Sequence, residues 1–258
     1  MFYWLAKYVF IGPFLRLIWR PHAEGVKHIP ATGAAIIASN HLSFCDSFFM
    51  PLLVPRRVTF LAKAEYFTTS GIKGWLSRAF FSAVGQVPVD RDDPDAARAA
   101  LKTGIRLLRQ GALLGIYPEG TRSPDGHLYR GKTGVARMAL EAGVPVIPCA
   151  MINTHILQPP GRRFPRLRPR PLVRFGKPLD FSRYEGMAGD RFVERSMTDE
   201  IMYELMELSG QEYVDVYAAK VKKALGPVTA FGARVAPVEK GPEELREAAD
   251  RVPTEQAG

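Results

Sequence analysis

From residue 34 onward the chain alternates short apolar runs with longer amphipathic ones, and nothing else in it restricts the fold as tightly. "AAIIAS" (34–39), "RVTFLA" (57–62), "GQVPVD" (85–90), "ALLGIY" (112–117), "VPVIPCAMI" (144–152) and "PLVRFG" (171–176) have the length and side chains of strands. "DSFFMPLLV" (46–54), "GIKGWLSRAFFSAV" (71–84), "PDAARAALKTGIRLLRQG" (94–111) and "KTGVARMALEAG" (132–143) have helical periodicity. The third opens at Pro94 with Asp95 in its first turn and closes at Gly111. Alternation of this kind predicts an α/β fold, a mostly parallel sheet flanked by helices on both faces.

The same pattern sets the domain organisation. Residues 22–225 read as one domain, completed by helices over 190–208 and 213–225 whose Met, Leu, Val and Tyr fit core packing. From residue 226 the chain turns to Pro, Gly, Ala, Glu and Arg, and 226–258 reads as a disordered tail. Cys45 and Cys149 lie in apolar contexts without metal-ligand spacing, which favours buried free thiols and a reducing compartment.

Residues 1–21, "MFYWLAKYVFIGPFLRLIWRP", are apolar and aromatic, but Lys7 and Arg16 interrupt them. The uncharged stretch between these cations is well short of the roughly 20 apolar residues of a spanning helix. Gly12-Pro13 is expected to divide the segment into two short helices. Phe2, Tyr3, Trp4, Tyr8, Phe14 and Trp19 with flanking cations suit an interfacial membrane anchor; packing on the domain core is the other reading. A formal charge of +9 favours anionic surfaces, whether lipid, nucleic acid or phosphorylated small molecules.

Parallel sheets bind ligands beyond the carboxyl ends of their strands. His41 and Asp46, in "SNHLSFCDSFFM", fall there, after the first strand and at the start of the next helix. On one helix they would stand about 140° apart, so they can meet only across a turn. A histidine beside a carboxylate is a general base with its orienting partner; a capping Asp46 beside an unrelated His41 is the plainer alternative. Neither Cys45, next to a carboxylate, nor Ser43, outside any nucleophile elbow, makes a promising nucleophile, so the attacking hydroxyl is expected from substrate. "YPEGTRS" (117–123) offers the complement: Gly120 for close backbone approach, Thr121 as a donor, Arg122 as an anion fork and Glu119 to orient Arg122 or a substrate hydroxyl. Lys63 and Arg91 follow other strands and extend the anion site.

In these segments the chain resembles the glycerolphosphate and 1-acylglycerol-3-phosphate acyltransferases. "NHLSFCD" looks like that family's first motif, "GQVPVDR" its second, "PEGTRS" its third and "VPVIP" (144–148) its fourth, in order. The resemblance implies a glycerolphosphate acyltransferase-like fold, His41 as base with Asp46 as partner, and Glu119, Gly120 and Arg122 contacting the glycerol phosphate, joined by Lys63 and Arg91. It further implies acyl transfer from acyl-coenzyme A or acyl-carrier protein to a lysophosphatidic-acid-like acceptor, giving phosphatidic acid. No bound cofactor or metal is called for, and the enzyme would sit as a peripheral, monotopic protein on the cytoplasmic face of the cell membrane. Glycerol 3-phosphate, another lysophospholipid or a glycolipid are alternative acceptors; a thioesterase and a non-catalytic lipid-binding module are more distant alternatives. The Arg-dense stretch 161–175 reads as a second membrane contact, a coenzyme A phosphate site or a solvated loop; a nucleic-acid arm lacks a recognition fold.

Overall fold

The computed structural model describes residues 2–63, 71, 74, 85–89 and 96–226. Among these residues nine strands run in chain order: β1 His22–Glu24, β2 Ala35–Ser39, β3 Val58–Lys63, β4 Gln86–Val89, β5 Leu113–Ile116, β6 Leu128–Tyr129, β7 Val146–Ile152, β8 Leu172–Phe175 and β9 Tyr213–Val214. Seven form one sheet in the order β1-β8-β7-β2-β5-β3-β4. Every pairing in it is parallel except β7 with β8. All six strands expected from the sequence are present. The expected mostly parallel sheet is therefore observed, with β8 and its parallel neighbour β1 running opposite to the other five strands.

The helices are α1 Phe2–Leu5, α2 Ile11–Trp19, α3 Asp46–Leu53, α4 Ala96–Arg109, α5 Gly134–Ala142, α6 Thr154–Leu157, α7 Arg191–Ser209 and α8 Ala218–Leu225. Strand β2 is buried along its whole length and feeds two cores by its period of two. Ala35 and Ile37 join Phe49 and Met50 of α3, Val173 and Trp19 on one face. Ile36 and Ala38 join Ile105 and Leu108 of α4, Val135 and Met138 of α5, and Ile201 and Leu205 of α7 on the other. Full burial of each large apolar side chain is worth about 1.5–3 kcal/mol. A one-residue slip of β2 would exchange these sets, so the two faces together fix its register.

Two sequence expectations need correction here. Residues 213–214 are a strand, not the start of a helix: β9 pairs with β6 in a separate two-stranded sheet, and α8 begins at Ala218. Gly12-Pro13 does not divide the N-terminal segment. Helical structure is continuous over 2–19, with a π-helical turn at Ala6–Phe10. Pro13 is the third residue of α2, directly after the π-helical turn, and a Cβ on Gly12 would collide with the Lys7 carbonyl. The helix expected over 71–84 lies almost wholly outside the described residues, as does the tail after residue 226. Among the described residues no helix is long and apolar enough to cross a membrane.

Candidate active site

The carboxyl ends of β2, β5 and β7 are neighbours in the sheet, and each opens into a polar loop. The β2 loop carries His41, the β5 loop carries Tyr117 to Ser123, and the β7 loop runs through α6 to the Arg-dense stretch. Asn40 fastens β2 to β7: its Oδ1 accepts from the Met151 amide at 2.6 Å and its Nδ2 donates to the Met151 carbonyl at 3.0 Å. The Ser123 amide donates to the His41 carbonyl at 2.7 Å and fastens the β5 loop to it. Position in the sheet thus brings together residues about 80 apart in sequence.

His41 and Asp46 meet across the turn. Nδ1 of His41 lies 2.9 Å from Oδ2 of Asp46, and the same oxygen accepts from the amides of Leu42 (2.7 Å) and Ser43 (2.8 Å). Asp46 is fully buried at the start of α3. Facing an oxygen that already serves as an acceptor, Nδ1 carries the imidazole proton and Nε2 is left free to take one. The ring lies flat on Tyr117, 3.8 Å between centroids and 11° between planes, and Tyr117 OH is 3.2 Å from Ser47 Oγ. A hydrogen bond at one nitrogen and an aromatic plane beneath hold the imidazole in one orientation.

The local alternatives to a substrate-borne nucleophile are occupied. Ser43 Oγ and Cys45 Sγ both donate to Gln158 Oε1, at 2.9 and 3.1 Å. Burial, and to a lesser degree Asp46, pushes the Cys45 thiol up to about 11 against the opposing bond from Ser43. Gln158 Nε2 in turn donates to the carbonyls of Arg162 and Arg163, at 3.3 and 3.2 Å. One amide therefore ties the His41 loop to the Arg-dense loop.

Glu119 is not at the rim. It is 1% exposed; Oε1 accepts from the His41 amide and Oε2 from the Tyr129 amide, both at 3.0 Å. Burial raises its pKa to about 8 against the pull of those two amides. Its carboxyl braces the backbone of His41 against β6. Gly120 has φ +71°, and a Cβ there would press on the Lys132 side chain. Thr121 Oγ1 accepts from Lys222 Nζ at 2.7 Å. Arg122 lines a cleft of about 500 Å³ whose walls include Leu42, Gln158, Lys222 and Lys223. Lys63 ends β3, two strands from β2, with its side chain outside the described residues, and Arg91 lies outside them altogether.

Sequence reasoning gave no role to Tyr117, Gln158 or Lys222. Tyr117 could have been found, because it directly precedes "PEGTRS" at the end of the strand beside β2. Lys222 could not, since no local pattern shows which loop α8 faces. Among the described residues no group of three or more His, Cys, Asp or Glu side chains is placed to hold a metal.

The geometry supplies a base with one free nitrogen, a buried carboxylate behind it, a neighbouring serine and cysteine both bonded to Gln158 and a cationic cleft alongside. Such a site suits proton removal from a hydroxyl on a phosphorylated substrate. Comparison with known proteins agrees with that chemistry. The family model described as Acyltransferase matches residues 20–152. A chloroplastic 1-acyl-sn-glycerol-3-phosphate acyltransferase of Arabidopsis thaliana is 34% identical over 152 residues, 58% of this chain and 40% of that protein. A 1-acyl-sn-glycerol-3-phosphate acyltransferase of Bacillus subtilis is 32% identical over 126 residues, 48% of this chain and 58% of that protein. The matches thus span about half the length of these curated relatives. The crystal structure of a 1-acyl-sn-glycerophosphate acyltransferase from Thermotoga maritima superposes with a TM-score of 0.54 at 21% identity, covering 81% of this chain and 89% of that one, a likeness of fold.

Proposed function

The chain belongs to the acyltransferase family, and from that premise we propose that it moves a fatty acyl group from a thioester donor to the free hydroxyl of a 1-acylglycerol 3-phosphate, forming phosphatidic acid. The observation that carries the reading is the pairing of a free His41 Nε2 with two neighbouring nucleophiles, Ser43 and Cys45, both committed to Gln158. His41 takes the acceptor hydroxyl proton as its oxygen bonds to the thioester carbonyl carbon. The tetrahedral intermediate then collapses, the carbon–sulfur bond breaks, and the departing thiolate recovers the proton from the imidazolium. Asp46 stabilises that imidazolium, and the donor leaves as the free thiol of coenzyme A or acyl-carrier protein.

Arg122, Gly120 and Thr121 bind the acceptor phosphate in this reading, with Lys63 and Arg91 as further cations; Glu119 contributes by positioning His41 rather than by touching substrate. The enzyme works as a peripheral, monotopic protein on the cytoplasmic face of the cell membrane, where its acceptor resides. Support comes from an exposed apolar face on α1 and α2 and from the arginines of the β7–β8 loop.

The test compares wild type with His41→Ala in acyl transfer to lysophosphatidic acid, using acyl-coenzyme A and acyl-carrier protein in parallel. Loss of a general base predicts a rate lower by about 10²–10⁴-fold in a folded variant. Equal rates would remove His41 from the chemistry. Thioester turnover indifferent to added lysolipid would make the protein a hydrolase instead.

A further inference from the structure

Helix α8 lies nearly a hundred residues beyond "PEGTRS", yet it forms a wall of the same cleft. Ala218 and Val221 bury against Tyr129 of β6 and Val214 of β9, which fixes the rotation of the helix. The next residue, Lys222, is thereby turned toward the β5 loop, where Nζ donates to Thr121 Oγ1 at 2.7 Å. Lys222 and Lys223 line the cleft with Arg122, and Leu42, the neighbour of His41, lines it too.

The charges in this hollow are unbalanced. Burial and then the Arg122 guanidinium lower the pKa of Lys222, while Glu119 acts weakly the other way. Among the described residues no ion pair joins Arg122, Lys222 or Lys223 to a carboxylate. Holding two cations close together in a partly desolvated hollow costs free energy that a bound dianion would offset. Thr121 spends a lone pair on Lys222 and keeps its own hydroxyl proton to donate. A planar guanidinium and a compact ammonium facing one space suit a phosphate group.

We propose that Lys222 on α8 and Arg122 on the β5 loop form a two-cation clamp for a substrate phosphate, so that the helix after β9 is part of the binding site and not only a packing element. The phosphate itself is the shared chemistry; it is carried by a lysophosphatidic acid headgroup or by coenzyme A. Only the choice between these carriers rests on the function proposed above.

Two measurements on wild type, Lys222→Met and Lys222→Arg test the clamp, with Lys222→Gln as the second neutral variant should the methionine variant not fold. In the first, the thermal midpoint is followed with inorganic phosphate against chloride at matched ionic strength. Phosphate should stabilise wild type and the arginine variant but not the neutral one. A shift of equal size in all three, or none in wild type, overturns the clamp. In the second, KM is measured separately for lysophosphatidic acid and for acyl-coenzyme A. The neutral variant should raise one of them roughly tenfold or more, as expected for loss of a charge-assisted hydrogen bond, with kcat at saturation changed less than about twofold. A rise for the acceptor assigns the headgroup and a rise for the donor assigns coenzyme A; no rise for either overturns the proposal. Should wild type transfer nothing to lysophosphatidic acid while phosphate stabilisation still depends on Lys222, the proposed acceptor falls and the clamp stands.

Discussion

Glu119 lies buried behind the turn that carries His41, its carboxyl accepting from two backbone amides. Its place in "PEGTRS" made it a candidate for contact with substrate, and its place in the fold makes it a buried brace between the His41 and Tyr129 amides. Nothing local distinguishes those fates, because both require a carboxyl group after a tight turn. The buried position has a consequence for stability. The folded-state pKa of about 8 lies above the ordinary 4.5, so between these values the native state holds a proton that the unfolded chain has released. Stability from this group is full below about 4.5 and is lost as pH rises toward 8. Urea denaturation of wild type at pH values across that window should show a decline that Glu119→Gln lacks; parallel slopes would exclude Glu119 as its source. The glutamine variant should also be about 1–3 kcal/mol less stable at the low end, because an amide nitrogen cannot accept from the backbone N–H it would face.

At the scale of elements, alternation of apolar and amphipathic segments was enough to place six strands of the sheet and the helices α3, α4, α5 and α7. What stayed hidden were elements held by partners distant in sequence. Strand β1 is three residues long and exists by pairing with β8, and β6 and β9 are two residues each and exist by pairing with one another. The N-terminal helical segment is a case of both kinds. Its amphipathic character was legible, but Lys7, expected to flank a membrane-facing surface, is turned inward, while the exposed Arg16 reaches back to α3. Lys7 is buried and donates to the Val54 carbonyl just past α3, and Arg16 donates to the Leu52 carbonyl at 3.3 Å. Cations at the carbonyl end of α3 also suit its dipole. Lys7→Met keeps an apolar stem but leaves the Val54 carbonyl without this donor, at a cost of about 1–3 kcal/mol. The loss should be local: amide exchange over residues 2–19 should accelerate about tenfold or more, while β2 and β7 keep their protection. Unchanged exchange over 2–19 would show that the contact does not hold the segment in place.

For the whole molecule, the docked face of α1 and α2 is matched by an opposite face that nothing covers among the described residues. Tyr3, Lys7 and Trp19 point inward, whereas Tyr8, Val9, Phe10, Phe14 and Leu17 are half exposed or more. The Arg-dense loop joins this surface: Trp19 Nε1 donates to the Arg166 carbonyl at 2.7 Å, and Leu17 and Leu167 line one hollow beside Arg168 and Arg170. Phe164 and Leu167 are more than half exposed, among arginines that are themselves exposed. Apolar side chains partition by area, and arginines near an anionic leaflet contribute about 1 kcal/mol each, so the two parts of the surface should separate by their response to salt. Co-sedimentation with vesicles of anionic and neutral lipid, at low and high ionic strength, separates them. Changing Phe10, Phe14 and Leu17 to Ser should reduce binding to both kinds of vesicle about tenfold or more at either salt concentration. Changing Arg162, Arg163 and Arg168 to Gln should remove only the salt-sensitive excess on anionic vesicles. Binding that survives both sets of changes would rule this surface out as a membrane contact. Because Gln158 links the carbonyls of Arg162 and Arg163 to Ser43 and Cys45, a loop seated on lipid would also steady the turn that carries His41.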